Sequence, residues 1–401
     1  MTEQTDILAA VRQLGDRPLS EALLVEHIWP LFSRVRAQAP DEIYLANHSL
    51  GRPLDQTMRD VQEAMSAWYQ RLNDAWESWL SQREYFRNQV ADLIHAPSGN
   101  CIIPKTSAGQ GLRAILNAFD DKLHVLTTGG EFDSIDFILK LYAGRGRIDL
   151  TMMEADAKGR YETEQLAARI NGRTHLVVIS EVMFLTGQWL SDLPLLVETA
   201  HKHDAMIMVD LYHAAGVLPV DIQAMDADFA IGGCYKYLRG GPGTAWLYIH
   251  PRHLNGRLRT LDTGWFAQPE PFTFKRPPVP LFSSGGSAFL ESTPAVLPFY
   301  QAKAGLEFTQ AIGVERLRDY SLQQQNFLAG MLREQGIEVF DEPATCGAFV
   351  AVPNNYAVEI TQRLSEVGIR CDSRENFLRL CPDILNTKFE LRLTAEQLSK
   401  L

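Results

Sequence analysis

Two apolar segments that each lead into a charged side chain constrain the fold of this chain more than any other feature. Residues 205–209 are apolar and end in Asp210, and the mainly apolar residues 228–234 lead to Lys236. His213 lies three residues after the acid. Short apolar runs predict buried strands, and parallel strands present their carboxyl ends at one edge of a sheet. The sequence therefore predicts that these three ionisable side chains lie near the same sheet edge.

The order of these residues suits a pyridoxal phosphate (PLP) site. A lysine amine can bond to the cofactor aldehyde, and a carboxylate can keep the pyridine nitrogen protonated so that the ring accepts electrons. Lys236 is also followed by a glycine-rich turn at residues 240–243. A lysine by itself after a strand would be an ordinary surface residue, but Asp210, His213 and the glycine-rich turn favour the cofactor site. The sequence thus predicts PLP as the cofactor, with Lys236 and Asp210 as catalytic residues.

Two motifs around these residues match one family closely. Residues 210–216 read Asp-Leu-Tyr-His-Ala-Ala-Gly, and residues 234–238 read Cys-Tyr-Lys-Tyr-Leu. Both resemble kynureninase, within the class V aminotransferase-like PLP enzymes of fold type I, and further matches run from Tyr44 to Arg379. The resemblance implies that His213 contacts the cofactor. It also implies that Tyr235 contacts the cofactor phosphate and assists proton transfer as a catalytic residue.

Predicted strands alternate with helices, which indicates an α/β protein with a mainly parallel sheet covered on both faces. The resemblance implies the PLP transferase fold type I, in which a mainly parallel seven-stranded sheet forms a large PLP-binding domain, residues 45–290. A small α+β domain would combine residues 1–44 and 291–401. Helical spacing of apolar residues predicts helices at 7–39 and 55–94. Apolar runs predict strands at 101–104, 123–128, 148–153, 176–179, 205–209, 228–234, 244–249 (antiparallel by analogy with the family), 338–340 and 348–352.

A turn of small residues precedes a predicted helix at 112–119. Residues 105–111 read Lys-Thr-Ser-Ala-Gly-Gln-Gly, and small residues before a helix let backbone N–H groups point at an anion, where the helix dipole adds a favourable potential. Such a turn by itself is more often only a helix cap. Placed ahead of the acid and the lysine, it is the expected phosphate site, and the resemblance implies that Ser107 and Ala108 are the contacts.

The resemblance implies four further cofactor contacts. Phe132 would lie over the pyridine ring, and Ser180 would approach the cofactor from the end of its strand. Trp265 would lie by the phosphate and the substrate, and Thr293 belongs to a turn that reaches the partner subunit's cofactor in related dimers. A plain core position is the alternative for Phe132, because the family's Phe-Pro-Ser-Asp is Phe-Asp-Ser-Ile at residues 132–135 here.

Arg379 and Asn47 are the predicted substrate-binding residues. Arg379 matches the family arginine that grips the substrate carboxylate, and a planar guanidinium can make two parallel hydrogen bonds to a carboxylate. Asn47 begins the matching segment Asn-His-Ser-Leu-Gly at residues 47–51. Two departures affect recognition of the aryl group: Thr293 stands where kynureninases have asparagine, and the helical region 68–79 lacks the family's Gly-His pair.

The composition excludes several other classes of protein. The chain has 401 residues, of which 46% are hydrophobic and 22% charged, as in a soluble globular protein with a full core. A net charge of −11 argues against nucleic-acid binding. Five cysteines without a Cys-x-x-Cys pair predict reduced thiols and no metal site. The first ten residues do not resemble a signal peptide, and no apolar run is long enough to span a membrane, so a cytoplasmic location is expected.

The resemblance implies a homodimeric PLP-dependent hydrolase with composite active sites. It would cleave the β–γ carbon bond of amino acids of the L-kynurenine or 3-hydroxykynurenine type, giving alanine and an anthranilate, as in tryptophan catabolism. A class V aminotransferase or a β-lyase acting on another amino acid is the alternative on the same scaffold. A cysteine desulfurase is disfavoured because Cys371 and Cys381 do not match the loop cysteine of that family. A catalytically silent binding subunit is disfavoured by the intact set of cofactor residues.

Overall fold

The computed structural model describes residues 6–401. Residues 1–5, part of the expected small domain, lie outside the described residues. The strands are β1 (Ile43–Tyr44), β2 (Ile102–Lys105), β3 (Leu123–Thr128), β4 (Ile148–Met153), β5 (Leu176–Ser180), β6 (Met206–Asp210), β7 (Phe229–Gly233), β8 (Ala245–Ile249), β9 (Val350–Pro353), β10 (Ile369–Arg370), β11 (Asp372–Arg374) and β12 (Phe377–Leu380).

The α-helices are interleaved with these strands. They are α1 (Ile7–Leu14), α2 (Glu21–Leu23), α3 (Ser33–Gln38), α4 (Asp55–Arg71), α5 (Ala75–Leu93), α6 (Ala108–Leu116), α7 (Asp133–Gly144), α8 (Thr163–Ala167), α9 (Leu193–Lys202), α10 (Ile222–Met225), α11 (Leu297–Ile312), α12 (Val314–Glu334), α13 (Ala357–Glu366) and α14 (Lys388–Leu398). Among the described residues, no helix combines the length and the apolar character that a membrane crossing requires.

Strands β2 to β8 form one seven-stranded sheet in the order β2-β8-β7-β6-β5-β3-β4. Strands β3 to β7 pair in parallel, and β8 is antiparallel to both β7 and β2. This confirms the predicted α/β class with a mainly parallel seven-stranded sheet. Because β5, β6 and β7 are parallel neighbours, their carboxyl ends lie at one edge of the sheet, where Ser180 pairs in register with Asp210.

The central strands are apolar up to their carboxyl ends because helices cover both faces of the sheet. Every residue of β5 is buried. Its side chains alternate between two core clusters: Val177 and Ile179 belong to one, and Leu176 and Val178 to the other. Successive residues of a strand point to opposite faces, so a continuous apolar run is what a doubly covered parallel strand requires.

Two small sheets lie outside the large one. Strand β1 pairs in parallel with β10, and the order of the other sheet is β11-β12-β9, with antiparallel pairs. Residues 43–44 therefore join the carboxyl-terminal part of the chain through a strand pair. The exact boundaries at residues 45 and 290 stay a prediction.

Three of the predicted elements are interrupted or absent in the structure. The helix predicted at 7–39 is interrupted: α1 ends before Gly15, whose φ is 55°, and a π-helix and a 3-10 helix separate α2 from α3. The helix predicted at 55–94 divides at Leu72, whose φ is 47°. Residues 338–340 form no strand in the described chain, although the Phe340 N–H donates to the Ala351 carbonyl at 2.9 Å. Backbone angles and strand partners of this kind depend on distant parts of the chain.

Candidate active site

A cavity of about 230 Å³ lies at the sheet edge where β5, β6 and β7 end. It brings together eight of the predicted cofactor residues: Ser107, Ala108, Phe132, Ser180, Asp210, His213, Tyr235 and Lys236. The remaining lining residues are Thr106, Ser134, Phe184, Tyr212, Pro242, Gly243 and Thr244. We refer to this space as the Lys236 cavity.

The amine of Lys236 is buried among aromatic rings. Its Nζ lies 5.8 Å from the ring centroid of Phe132 and 5.6 Å from those of Tyr212 and Tyr235. Burial lowers the pKa of Lys236, and the negative charge of Asp210 acts in the opposite direction. A lysine with a lowered pKa is more readily deprotonated, and a deprotonated amine can act as a nucleophile or a base.

The backbone of Lys236 is held by the turn at residues 47–51. The Gly51 N–H donates to the Tyr235 carbonyl at 2.8 Å. A side chain at Gly51 would not fit, because a Cβ atom there would lie 1.9 Å from the carbonyl oxygen of Lys236. The segment 47–51 thus packs against the backbone of Tyr235 and Lys236 through Gly51.

Asp210 ends β6 and is buried at the cavity wall. Its Oδ1 accepts a hydrogen bond from the backbone N–H of Tyr212 at 2.8 Å. Burial raises the pKa of Asp210, while the Tyr212 amide and the charge of Lys236 oppose the rise. A cationic ring nitrogen beside this buried carboxylate would favour the ionised form of the carboxylate.

His213 lies between the amine of Lys236 and the hydroxyl of Tyr237. The lysine Nζ lies 2.6 Å from His213 Nε2, and His213 Nδ1 lies 3.2 Å from the hydroxyl of Tyr237. Burial lowers the pKa of His213 well below its ordinary value, and the charge of Lys236 acts in the same direction. The imidazole is therefore neutral, so it accepts a hydrogen bond on one ring nitrogen and donates from the other.

The turn that is expected to bind the phosphate lies at the start of a helix, and this helix begins four residues earlier than predicted. Helix α6 begins at Ala108 rather than at residue 112, because Ser107 caps it: the Ser107 hydroxyl accepts from the Gln110 N–H at 3.2 Å. The Gln110 side chain in turn accepts from the Thr106 N–H at 2.8 Å. The first amides of α6 thus belong to the cavity wall, where a phosphate would meet the positive end of the helix dipole.

Glu131 and Tyr212 are two site residues that sequence reasoning missed. Glu131 is buried and accepts hydrogen bonds from the hydroxyls of Thr128 and Ser180, both at 2.6 Å. Burial raises its pKa to about 7. Glu131 therefore orients Ser180 at the cavity wall. The sequence signal for these two residues was their position next to predicted cofactor residues: Glu131 precedes Phe132, and Tyr212 precedes His213.

Arg379 does not line the Lys236 cavity, but it contacts Phe184, which does. Its guanidinium centre is 5.4 Å from the Phe184 ring, and its Nη1 donates to the Phe184 carbonyl at 2.6 Å. Asp372 accepts two parallel hydrogen bonds from its Nε and Nη2, at 2.9 and 2.8 Å. His48 Nε2 also lies 2.7 Å from Asp372. The carboxylate that Arg379 binds in this structure is therefore that of Asp372. The predicted role of Arg379 in binding a substrate carboxylate stays a prediction.

The structure does not bring the other three predicted residues to the Lys236 cavity of the same chain. The Asn47 amide donates to the Cys381 carbonyl at 2.8 Å, and its Oδ1 is buried without a partner among the described residues. Trp265 stacks on Phe274, with ring centroids 5.8 Å apart. Thr293 lines a separate groove of about 550 Å³. Contacts of Trp265 and Thr293 with a partner subunit's cofactor stay a prediction.

Residues 52–369 match the family model described as aminotransferase class-V. The chain belongs to the class-V aminotransferase family. Among its curated relatives, the uncharacterized aminotransferase YcbU of Bacillus subtilis (strain 168) is 26% identical over 355 residues, covering 88% of this chain and 91% of the relative. A kynureninase of Geobacillus thermodenitrificans (strain NG80-2) is 27% identical over 379 residues, covering 88% of this chain and 86% of the relative.

A solved structure supports the fold assignment. It is a lysine-to-alanine mutant of C-DES, a cystine C–S lyase, with glycine covalently linked to its PLP cofactor. It superposes with a TM-score of 0.82 at 21% identity and covers 91% of this chain and 99% of that chain. The PLP fold type I expected from the sequence is therefore confirmed.

Membership of the class-V aminotransferase family and the Lys236 cavity together identify the cofactor as PLP. The residues present fit this group. A buried lysine amine faces a buried carboxylate, the N-terminus of α6 supplies backbone amides, and aromatic rings flank the space. Lys236 would hold the aldehyde carbon, Asp210 the ring nitrogen, and residues 107–108 the phosphate.

Proposed function

We propose that this class-V aminotransferase family member is a kynureninase-type hydrolase. Its substrates would be amino acids of the L-kynurenine or 3-hydroxykynurenine type, and its products alanine and an anthranilate. The observation that carries the proposal is the place of Phe184, in the segment Phe-Leu-Thr-Gly-Gln at 184–188 that resembles kynureninase. Phe184 lines the Lys236 cavity and accepts a hydrogen bond from Arg379. Phe184 therefore contacts both the Lys236 cavity and the arginine that is expected to bind the substrate carboxylate, which supports the proposal.

The reaction divides between the cofactor and the side chains of the cavity. Bound PLP would supply an electron sink for the electrons released when the α-proton is removed and when the β–γ carbon bond, one carbon away from the α-carbon, breaks. Lys236 Nζ is the group placed to remove the α-proton and to return it, and its lowered pKa suits a base. Asp210 keeps the ring nitrogen protonated. One water adds across the β–γ bond, so that the aryl ketone leaves as an aromatic acid and the remainder as alanine.

Arg379 keeps donors for a substrate carboxylate. A guanidinium has five N–H groups, and three of those of Arg379 are used by Asp372 and Phe184. The two that remain are one on Nη1 and one on Nη2. A substrate carboxylate would therefore be an additional ligand of an already oriented guanidinium, which limits the entropy lost on binding.

A cleft of about 940 Å³ borders the cavity at Phe184. Its walls combine the aromatic and apolar side chains of Tyr161, Met183, Phe340 and Phe377 with many charged side chains, among them Glu154, Lys158 and Arg374. An aryl group attached to the γ-carbon would have room there, with apolar contacts from the first set and polar contacts for its ring substituents from the second. The space supports a substrate larger than a simple amino acid.

We also propose a homodimer with composite sites. Thr293 lines a groove with the exposed Trp68, Leu72 and Leu297, and further exposed aromatic residues, Phe272 and Phe274, surround Trp265. Exposed apolar patches of this kind mark interaction surfaces. A second copy of the chain that covers the patch would bring Trp265 and Thr293 near a cofactor.

A class-V aminotransferase or a β-lyase is the second candidate, and the similarity to YcbU favours it. One assay separates the candidates. The purified protein is incubated with kynurenine, 3-hydroxykynurenine and common amino acids while alanine and pyruvate are both measured. Alanine and an anthranilate in equal amounts are expected. Transfer of the amino group to an oxo acid, or pyruvate release from a β-substituted amino acid, with no alanine from either kynurenine, would replace the hydrolase by the second candidate.

A further inference from the structure

Tyr212 connects the two ends of the Lys236 cavity. Its backbone N–H donates to Asp210 Oδ1 at 2.8 Å. Its side chain lines the cavity together with residues 106–108, at the start of α6. One residue thus contacts the carboxylate expected at the ring nitrogen and extends toward the turn expected at the phosphate.

The phenol ring of Tyr212 is held from two sides. A Cβ atom at Gly233 would lie 2.2 Å from the ring, so the glycine is what leaves space for it. On another side the Tyr235 ring packs with a centroid distance of 5.7 Å and an interplanar angle of 53°. The residue is 8% exposed. A ring that is packed on two sides keeps one orientation, so its hydroxyl points in one direction. A buried tyrosine hydroxyl normally has a polar partner.

Tyr212 shares a cavity wall with the start of α6. Ser107 and Ala108 line the same cavity as Tyr212, and Ala108 is the first residue of α6, which Ser107 caps. Burial raises the pKa of Tyr212 well above its ordinary value, and the backbone amide of Ala108 acts in the opposite direction. A phenol that keeps its proton is a hydrogen-bond donor, and here it borders the cavity in which the N-terminus of α6 favours an anion.

We propose that Tyr212 is a ligand of the cofactor phosphate, to which it donates its phenol hydrogen next to the amides at the start of α6. The assignment adds a side-chain donor to the backbone donors of residues 107–108 and to Tyr235. It rests on PLP binding and is independent of the reaction that the enzyme catalyses.

The test compares a cofactor that has a phosphate with one that lacks it. Apo protein is prepared from the wild type and from Tyr212→Phe, and the dissociation constants of PLP and of pyridoxal are measured by absorbance. A hydrogen bond to a charged group is stronger than one between neutral groups, so the variant is expected to bind PLP about tenfold or more weakly. Its affinity for pyridoxal should stay within about twofold of the wild-type value, because the substitution removes one oxygen and keeps the ring.

Tyr248→Phe is the matched control. Tyr248 is a buried tyrosine of β8 that does not line the cavity, and its hydroxyl has no partner among the described residues. The control should keep the wild-type ratio of the two dissociation constants. An equal loss of affinity for PLP and pyridoxal in Tyr212→Phe, or an unchanged affinity for PLP, would overturn the assignment.

Inorganic phosphate provides a second measurement that does not require the ring of the cofactor. Phosphate should raise the thermal midpoint of the wild-type apo protein and raise that of Tyr212→Phe less at the same concentration. The same rise in both proteins would count against Tyr212 as a phosphate ligand.

Discussion

The carboxylate of Asp372 holds the guanidinium of Arg379 through two parallel hydrogen bonds, Nε to Oδ1 at 2.9 Å and Nη2 to Oδ2 at 2.8 Å. The two residues are register partners on the neighbouring strands β11 and β12. Burial by itself would raise the pKa of Asp372, but the hydrogen bond from His48 and the charge of Arg379 outweigh it and hold the pKa well below its usual range. The pair is therefore ionised and orients the arginine before any substrate binds.

Replacing Asp372 by alanine should destabilise the protein strongly, because Arg379 is 2% exposed and would keep an unpaired charge. Removal of one partner from a buried ion pair costs about 3–5 kcal/mol. Urea denaturation of Asp372→Ala checks this. Glu342→Ala, which breaks the exposed pair between Arg333 and Glu342, should cost about 1 kcal/mol or less. Equal effects of the two substitutions would show that Asp372→Ala does not leave an unpaired buried charge on Arg379.

Borohydride should attach PLP to Lys236 and to no other lysine. The purified protein should be yellow, and reduction followed by peptide mapping should place the adduct on residue 236. Lys105 is an internal control, because its side chain is also buried and burial also lowers its pKa, but it pairs with Glu291 at 2.5 Å. An adduct on Lys105 would contradict the assignment of the reactive lysine.

Asp210→Asn should still bind PLP but lose most turnover, because the carboxylate is the group that we expect to keep the pyridine nitrogen protonated. Loss of one electrostatic group at a reacting centre typically costs about 10²–10³-fold in kcat. Asp204→Asn makes the same substitution at an exposed position before the opposite end of β6 and should keep wild-type turnover. Near-wild-type kcat in Asp210→Asn would remove the residue from the mechanism.

Glu181 should make the protein less stable as the pH rises from about 4.5 to 7. It is buried, one of its carboxylate oxygens has no partner among the described residues, and burial raises its pKa from 4.5 to about 7. Between these values the unfolded chain has lost the proton that the native protein keeps, so the free energy of unfolding falls by about 1.4 kcal/mol per pH unit.

The total effect of Glu181 over this interval is roughly 3 kcal/mol. Glu181→Gln should reduce the loss of stability across the same pH interval, as measured by urea denaturation at several pH values. Glu164→Gln, at an exposed position of α8, should keep the wild-type pH dependence. An identical pH dependence in Glu181→Gln and the wild type would show that the carboxyl is not buried as described.

The active form should be a dimer. Sedimentation of the purified protein should give twice the mass of the chain. Trp68 lies in the exposed groove beside Thr293, so Trp68→Glu should shift the protein toward the monomer and lower its activity to the same extent. Leu401→Glu, at an exposed position at the end of the chain, is the control. A fully active wild-type monomer would rule out composite sites.

The sequence by itself determined the sheet and the sheet edge at which the cofactor site is expected. The apolar runs before Asp210 and Lys236 are local patterns, and a doubly covered parallel sheet places the ends of such runs side by side. The motif resemblance added the phosphate turn at Ser107 and the cofactor, because these depend on a few consecutive residues.

Only the tertiary structure decided which side chains pair across the site. The grip of Asp372 on Arg379 follows from the register of β11 and β12, and the hydrogen bonds of Glu131 join the ends of β3 and β5. The contact of Tyr212 with Gly233 depends on the register of β6 and β7, which pairs Asp210 with Ile231, so that the residues two positions further along each chain lie close together. Such contacts join residues distant in the chain, and their distances are set by packing and register, which no local pattern of residues specifies.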